Sequence, residues 1–456
     1  MIDLRAVEVF LQEVVGVLWG PPLVVLLVGG GLFFLIYSRF VPYRHLTTGL
    51  RLLTRPPDDD DPGQLSHFQA LSTALSGTLG MGNVAGVALA ITMGGPGAIF
   101  WMWVSAMVGI ATKFYTCTLA VMYRGQDTEG EWQGGPMYVI REGMGRRWLP
   151  LAYFFAVAGL FGTMPMFQVN QLVQVMRDTI AVPAGLAGAE DHFAFDFGFG
   201  LVLAALVLYV GLGRVRRLGN VTRWIVPTMV IGYVLLTLFV LATNIGEIPG
   251  AFALILHDAF RGDAVLGGAV GAVIIIGIRR AAFSNEAGIG TESMAHGAAR
   301  TREPVREGMV AMLGPIIDTL IMCTCTALVI LISGVWRGGD VDGVTLTADA
   351  FGKLFPVGGS VIVALLVGFL SMSTVFTFWY YGSKCLGFLI GARFQHHYIW
   401  FYVLLVLLGA VASLQIVVSL VDSMYALMAI PTMLSALLLA PRVNEAARRY
   451  FDGGRQ

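Results

Sequence analysis

An apolar run over residues 68 to 93 is interrupted at its middle by Gly77-Thr78-Leu79-Gly80-Met81-Gly82-Asn83. A segment that crosses lipid must satisfy its own backbone groups, so glycines and an asparagine at its centre predict an unwound stretch lining a polar cavity. A second interruption, Ser284-Asn285-Glu286-Ala287-Gly288-Ile289-Gly290, lies in the apolar run that opens near residue 264. Two such breaks at matching places in two halves of a chain point to the binding site of a secondary transporter.

Hydrophobic residues make up 56% of the chain and charged residues 13%, and the mean hydropathy is +0.75. That is too apolar for a water-soluble chain of 456 residues and reads as a polytopic membrane protein. Lys and Arg together number 29, as do Asp and Glu, so overall charge gives no sign of a nucleic-acid partner. The cysteines, Cys117, Cys323, Cys325 and Cys385, fall in or at the ends of apolar runs and read as packed thiols. The first segment carries Asp3, Glu8 and Glu13 in place of a basic leader and is expected to be a retained helix. There is no P-loop, no HExxH and no Ser/His pair on one polar domain, so no enzyme is expected.

With about 20 apolar residues per crossing, the chain divides into eleven spans, near 17 to 38, 68 to 93, 97 to 122, 149 to 178, 198 to 213, 221 to 243, 264 to 292, 307 to 334, 357 to 383, 398 to 419 and 421 to 440. One alternating set of loops holds nearly all the basic residues, among them Arg39, Arg44, Arg51, Arg55, Arg124, Arg141, Arg146, Arg147, Arg214, Arg223, Arg300, Arg302, Arg306, Lys384, Arg393, Arg442 and Arg448. The other set holds Arg5, Arg261, Arg337 and Lys353. The positive-inside rule puts the first set in the cytoplasm, the N-terminus outside and the C-terminus inside, in a multi-pass protein of the inner (plasma) membrane.

Residues 1–64 read as an extra N-terminal span and a linker rich in proline and aspartate, and 442–456 as a short tail. The remaining ten spans form two sets of five, 65–243 and 244–441, each opened by a broken span. Five is odd, so the sets have opposite orientation, the arithmetic of an inverted 5+5 repeat with its site near the midplane. Residues 130–147 read as an amphipathic surface segment carrying Trp132, Met137, Tyr138 and Ile140, and 346–355 as a short outer helix.

At the first break, amides of Gly80, Met81 and Gly82 would cradle an anionic group, with Thr78 and Asn83 as further ligands. Carbonyls from Ser76 to Leu79 suit a small cation, completed by hydroxyls of Ser371, Ser373 or Thr374; close helix packing is the plainer use of such residues. At the second break the site role falls mainly on the backbone and on Phe283, Ser284 and Asn285, while Glu286 is expected to pair with Arg279 or Arg280. Asp318 and Lys113 fit an ion or proton relay, or more plainly a buried structural pair. Gln168 and Asn170, two positions apart, cannot face one lumen from a regular helix; Gln168 is the expected lining residue.

Several stretches together resemble the sodium:alanine (alanine/glycine:cation) symporter family of amino acid carriers: residues 68–75 and 80–87, Gly94-Gly95-Pro96-Gly97-Ala98, Gly134-Gly135-Pro136-Met137-Tyr138, residues 283–290, Ile317-Asp318-Thr319 and Tyr380-Tyr381-Gly382. The likeness runs from about residue 65 to 390. It implies an all-α inverted-repeat fold of the bacterial leucine transporter type, and uptake of a small neutral amino acid, alanine or glycine, with Na+ as coupling ion and no organic cofactor. It also implies that amides from Gly80 to Asn83 take the substrate carboxylate, that carbonyls facing Phe283 and Ser284 take the ammonium, and that Gln168 lines the pocket. Ser373 and Thr374 would complete a sodium site with carbonyls of Ser76 and Leu79. The chain departs from the family pattern at Met81, where members carry threonine, at Phe378, aligned with a pocket tryptophan, and at Trp379, where a small residue is usual. Outside the lipid bilayer and the substrate, no partner is expected. A proton-coupled carrier using Glu286 or Asp318 is the alternative of the same class; a channel or a membrane sensor is the alternative of another. A sensor is expected to carry a soluble output domain, for which the stretch after Arg442 is too short.

Overall fold

The computed structural model describes residues 4–54, 61–188, 191–211, 215–260, 269–339 and 343–453. Arg55, most of the proline- and aspartate-rich linker, Arg214, Arg261 and the expected start of the seventh span lie outside them. The long helices are α1 (Leu4–Leu18), α2 (Pro21–Tyr37), α3 (His67–Thr78), α4 (Met81–Gly94), α5 (Gly97–Met122), α6 (Arg146–Ala181), α7 (Phe193–Gly211) and α8 (Val215–Thr243). They continue as α9 (Ile248–Ala259), α10 (Ala269–Asn285), α11 (Thr291–His296), α12 (Pro304–Ser333), α13 (Gly343–Leu354), α14 (Gly359–Ile390), α15 (Tyr398–Val411) and α16 (Leu414–Gly453).

Among the described residues, nine helices are long and apolar enough to cross a membrane, or ten if α1 and α2, bent by 50°, form one span. The seventh expected span falls on α10, whose described part is 17 residues. The protein is a multi-pass membrane protein. The apolar window of α3 and α4 together is 100% buried inside the protein, that of α7 only 28%. The first broken span is therefore the axis of the bundle, and α7 is a lipid-facing wall.

Both broken spans lie side by side and run antiparallel: α4 packs on α10, and α3 packs on α11. Local chemistry fixes where they begin and end. Ser66 caps α3 by accepting the Gln69 amide at 3.2 Å, while Gln69 Oε1 accepts the Ser66 amide at 2.9 Å, a reciprocal pairing that satisfies two groups no helix can satisfy itself. On the face that carries the arginine-rich loops, Leu65 pairs in parallel with Ala299, and the amides of Gln64 and Leu65 donate to Ala298 O at 2.8 and 3.1 Å. This short ladder ties the entry of the first broken span to the exit of the second.

Two expectations about connecting segments come out differently. Only the ends of residues 130–147 are exposed: Trp132, in a two-stranded ribbon (Gly125–Gln126 with Trp132–Gln133), stays exposed, while Met137, Tyr138 and Ile140 are buried inside the protein. Gly135, at φ 118, makes the turn inward. The outer helix begins earlier than expected, at Gly343, and packs on α4, with Leu346, Ala350 and Phe351 buried.

Candidate functional site

The first break is short. After Thr78, Leu79 (φ −77, ψ 81) and Gly80 (φ −144, ψ −142) leave helical geometry, and α4 resumes at Met81. Within this break Gly80 has no room for a side chain, since a Cβ there would collide with Thr374 Oγ1 and stand 2.9 Å from Gln168 Oε1. The amides released by the break have protein acceptors: Gly80 donates to Asn83 Oδ1 at 3.1 Å, and Met81 donates to Gln168 Oε1 at 2.8 Å. Gln168 thus faces the break. Asn170 points the other way, donating to the carbonyls of Gly409 and Ala412.

The second break is longer. α10 ends at Asn285 and α11 starts at Thr291, with Glu286 (φ 55), Gly288 (φ 84) and Gly290 (φ 99) in left-handed conformations. A left-handed glutamate costs on the order of 1–3 kcal/mol and needs its surroundings to hold it. Tyr425 Oη donates to its Oε1 at 2.8 Å, and Thr291 Oγ1 donates to its Oε2. The expected arginine partners are elsewhere: Arg280 pairs with Asp422 on α16, and Arg279 Nε lies 3.6 Å from the same carboxylate. Arg279 and Arg280 lie within α10, whereas Glu286 lies past its end in a left-handed conformation (φ 55) and so points to a different neighbour.

Asn83 and Ser284 bring the breaks together, Nδ2 of one donating to Oγ of the other at 3.2 Å. Both also reach Asp318: Asn83 Nδ2 donates to its Oδ1, and Ser284 Oγ donates to Oδ2 at 3.0 Å. Asp318 sits in a widened, π-type stretch of α12 over Ile316–Cys323, a local winding that often marks functional positions in helices. Its expected ion pair with Lys113 is replaced by these hydrogen bonds. Cys323, 3.1 Å from Ser284 Oγ, and Thr319 complete the shell. Neither Asp318 nor Cys323 was placed in the pocket by sequence reasoning. The available signal was a carboxylate amid Ile316, Ile317, Leu320 and Ile321, a costly placement unless something binds it.

Other expected site residues fall into two groups. Phe283 packs edge to face on Phe167, with centroids 4.8 Å apart, and lies against Gly82 and Gly86. Ser76 Oγ donates to Ser373 O at 2.9 Å, and Ser373 Oγ lies 3.5 Å from Ser76 O, so α3 and α14 present their oxygens to each other beside Leu79 and Thr374. An all-oxygen, fully buried donor set of this kind suits a hard monovalent cation as cargo. The remaining three have other partners in this structure. Thr78 Oγ1 turns back on Leu75 O, and Asn285 holds the Ala287 amide and Thr319. Phe378 packs on Tyr381, whose ring covers Gly77.

Below the breaks, on the basic face, Glu307 accepts from His67 Nδ1 at 2.5 Å and from His296 Nδ1 at 2.6 Å, with all three side chains buried. Arg124 donates to Gly297 O, Pro62 O, Thr301 O and Ala299 O across the ladder described above. Burial pushes its pKa down to about 10, with the Glu307 and Asp61 carboxylates acting in the opposite sense. This side of the bundle is closed by charge-assisted bonds.

The sequence matches the family model described as "Sodium:alanine symporter family" over residues 4–456. It is 40% identical over 443 residues to the sodium/alanine symporter AgcS of Methanococcus maripaludis, covering 95% of each chain. It is 38% identical to an uncharacterized transporter of Haemophilus influenzae, covering 98% of this chain and 96% of that one. Among solved structures, MhsT in complex with L-phenylalanine superposes with a TM-score of 0.59 at 15% identity, covering 84% of this chain and 98% of that one. That likeness carries the fold alone: the leucine-transporter type, an inverted pair of five-helix repeats with α1 and α2 added in front. The relatives are transporters and not enzymes. The chain belongs to the sodium:alanine symporter family.

Proposed function

We propose that this protein is a secondary active symporter coupling inward sodium movement to uptake of a small neutral amino acid, alanine or glycine, by alternating access. The observation that carries the reading is the hydrogen bond from Asn83 to Ser284 between the helix ends that flank the two unwound segments, where main-chain dipoles of both signs are available to a zwitterion. The substrate carboxylate would displace Gln168 and Asn83 from the amides of Met81 and Gly80, and its ammonium would face carbonyls at Phe283 and Ser284. Sodium would sit between α3 and α14, at Ser76, Leu79, Ser373 and Thr374. In this reading the basic face is cytoplasmic, the N-terminus is outside, and residues 65–243 and 244–441 are the two repeats.

The test is uptake of labelled alanine and glycine into proteoliposomes, with and without an inward sodium gradient. A gradient-dependent overshoot is expected; uptake indifferent to the gradient would remove the coupling claim. The second reading is proton coupling, which Asp318 favours because its carboxylate touches both breaks. An imposed pH gradient in sodium-free buffer that drives accumulation would establish it in place of the first.

A further inference from the structure

On the basic face, away from the breaks, the end of α2 meets the end of α16. After Tyr37 the chain turns through Arg39 (φ 54) and Phe40 (φ 63), two left-handed non-glycine residues in succession, and runs back as Val41–Arg44. Such a turn is retained only when neighbouring contacts hold it. Here Asn444 of α16 donates to Tyr37 O at 3.0 Å, and the His45 ring stacks on Phe451 with centroids 3.8 Å apart.

Between the turn and α16 lies a pocket of about 280 Å3, lined by Tyr37, Arg39, Arg44, His45, Arg448 and Phe451, with Ser38, Asn444 and Asp452 among its polar lining. Three arginines stand against one aspartate there. Among the described residues none of Arg39, Arg44 and Arg448 makes an ion pair, and the nearby Glu445 is taken by Arg449 at 2.5 Å. Burial, and then the charge of Arg44, hold the His45 pKa below its ordinary value, so the neutral imidazole neither adds to nor offsets the charge of the arginines.

The pocket also has an apolar edge. Phe33, Ile36, Tyr37 and Phe40 are 42%, 58%, 42% and 48% exposed, on or just beyond the last turns of α2, and the rings of Phe33 and Tyr37 stack at 5.1 Å. A tyrosine closing an apolar helix marks the headgroup level of a bilayer. A ligand that fits would carry a negative charge at the arginines and hydrocarbon along α2.

We propose that this pocket binds the phosphodiester headgroup of an anionic phospholipid, with the acyl chains lying along the exposed face of α2. Guanidinium groups are suited to phosphate by their fork of donors, and basic pockets between helices at the membrane boundary recognise lipid headgroups in this way. A free phosphate shares the charge but not the apolar contact, so the lipid is the occupant the whole pocket matches.

The full chain, purified in a zwitterionic detergent, is titrated with phosphatidylglycerol, phosphatidylcholine or inorganic phosphate, and retained lipid is read by native mass spectrometry alongside thermal stability. Wild-type protein should retain phosphatidylglycerol at least about tenfold over phosphatidylcholine. Arg39→Gln/Arg44→Gln/Arg448→Gln should abolish that preference, while Arg146→Gln/Arg147→Gln on the same face should keep it. Should the triple variant fail to fold, each single substitution is expected to lower retention severalfold. Equal retention of both lipids, undiminished retention in the variants, or equal stabilisation by inorganic phosphate would overturn the proposal.

Discussion

Asn83 and Asp318, 235 positions apart in the chain, are joined by a hydrogen bond from the amide Nδ2 to the carboxylate. The same carboxylate accepts from Ser284, so a residue of α12 holds the two breaks in register with each other. Asp318→Asn preserves shape but replaces an acceptor-only group with one that must present a donor to one of its partners. Uptake is expected to fall at least about tenfold, since a bond to a charged group contributes roughly 1.5–3 kcal/mol. Radiolabel uptake normalised to reconstituted protein measures it; unchanged uptake would leave Asp318 a bystander.

Gly80 has no room for a side chain, because Thr374 Oγ1 and Gln168 Oε1 already stand where a Cβ would go. Gly80→Val should abolish uptake while the protein still inserts in the membrane, the collision being local to the unwound stretch. Membrane yield by immunoblot and uptake in the same vesicles separate the two effects. Near-normal uptake would argue that the break is only a kink.

Thr374 touches the same stretch from α14, with its hydroxyl donating to Leu370 O at 3.2 Å. If that oxygen ligates sodium during transport, Thr374→Ala should raise the half-saturating sodium concentration severalfold, on the order of one ligand's worth of binding, with a smaller change in maximal rate. A sodium titration at saturating alanine reads it. A change confined to the maximal rate would assign Thr374 to conformational turnover instead.

The two breaks and the choice of Gln168 over Asn170 as the residue facing the first break were legible because they follow from periodicity and from the cost lipid sets on unsatisfied backbone. What escaped were pairings across the bundle. Glu286 with Tyr425, and Arg280 with Asp422, join positions 139 and 142 residues apart, and no local spacing encodes them; Arg279 and Arg280 looked like partners of Glu286 only because they are near it in sequence. Residues 130–147 misled for a related reason, since an apolar alternation looks alike whether it faces lipid or protein. Thr78 and Asn285 read as ligands by chemistry alone; in this structure Thr78 bonds Leu75 O and Asn285 bonds the Ala287 amide and Thr319, pairings that their residue types do not announce.

Glu307 closes the basic face by accepting from His67 and His296 at once, joining the start of α3, the end of α11 and the start of α12. Glu307→Gln removes the charge that both imidazoles share, and one partner of a buried charge pair is costly to lose. The expected result is faster amide exchange at Gln64, Leu65, Arg300 and Thr301, whose amides form the adjoining ladder, with little change in α7 or α15. Hydrogen exchange read by mass spectrometry checks it. Unaltered protection of the ladder would show that Arg124 alone holds this end closed.

Arg280 and Asp422 make a buried ion pair between α10 and α16. Arg280 is fully buried and its Nε and Nη1 lack protein acceptors among the described residues, Asp422 Oδ1 lacks a donor there, and Phe283 lies under the guanidinium at 5.2 Å. Desolvation makes each charge depend on the other, so losing one alone should be worse than losing both. Asp422→Asn is expected to cost about 3–5 kcal/mol of stability, enough to lower the yield of folded protein sharply. Adding Arg280→Met, which keeps the volume over Phe283 without the charge, should recover much of that loss, although Arg279 at 3.6 Å remains to be solvated. Thermal unfolding of both variants decides the matter, because the double substitution must be the more stable of the two if burial of an unpaired charge is what the single one suffers.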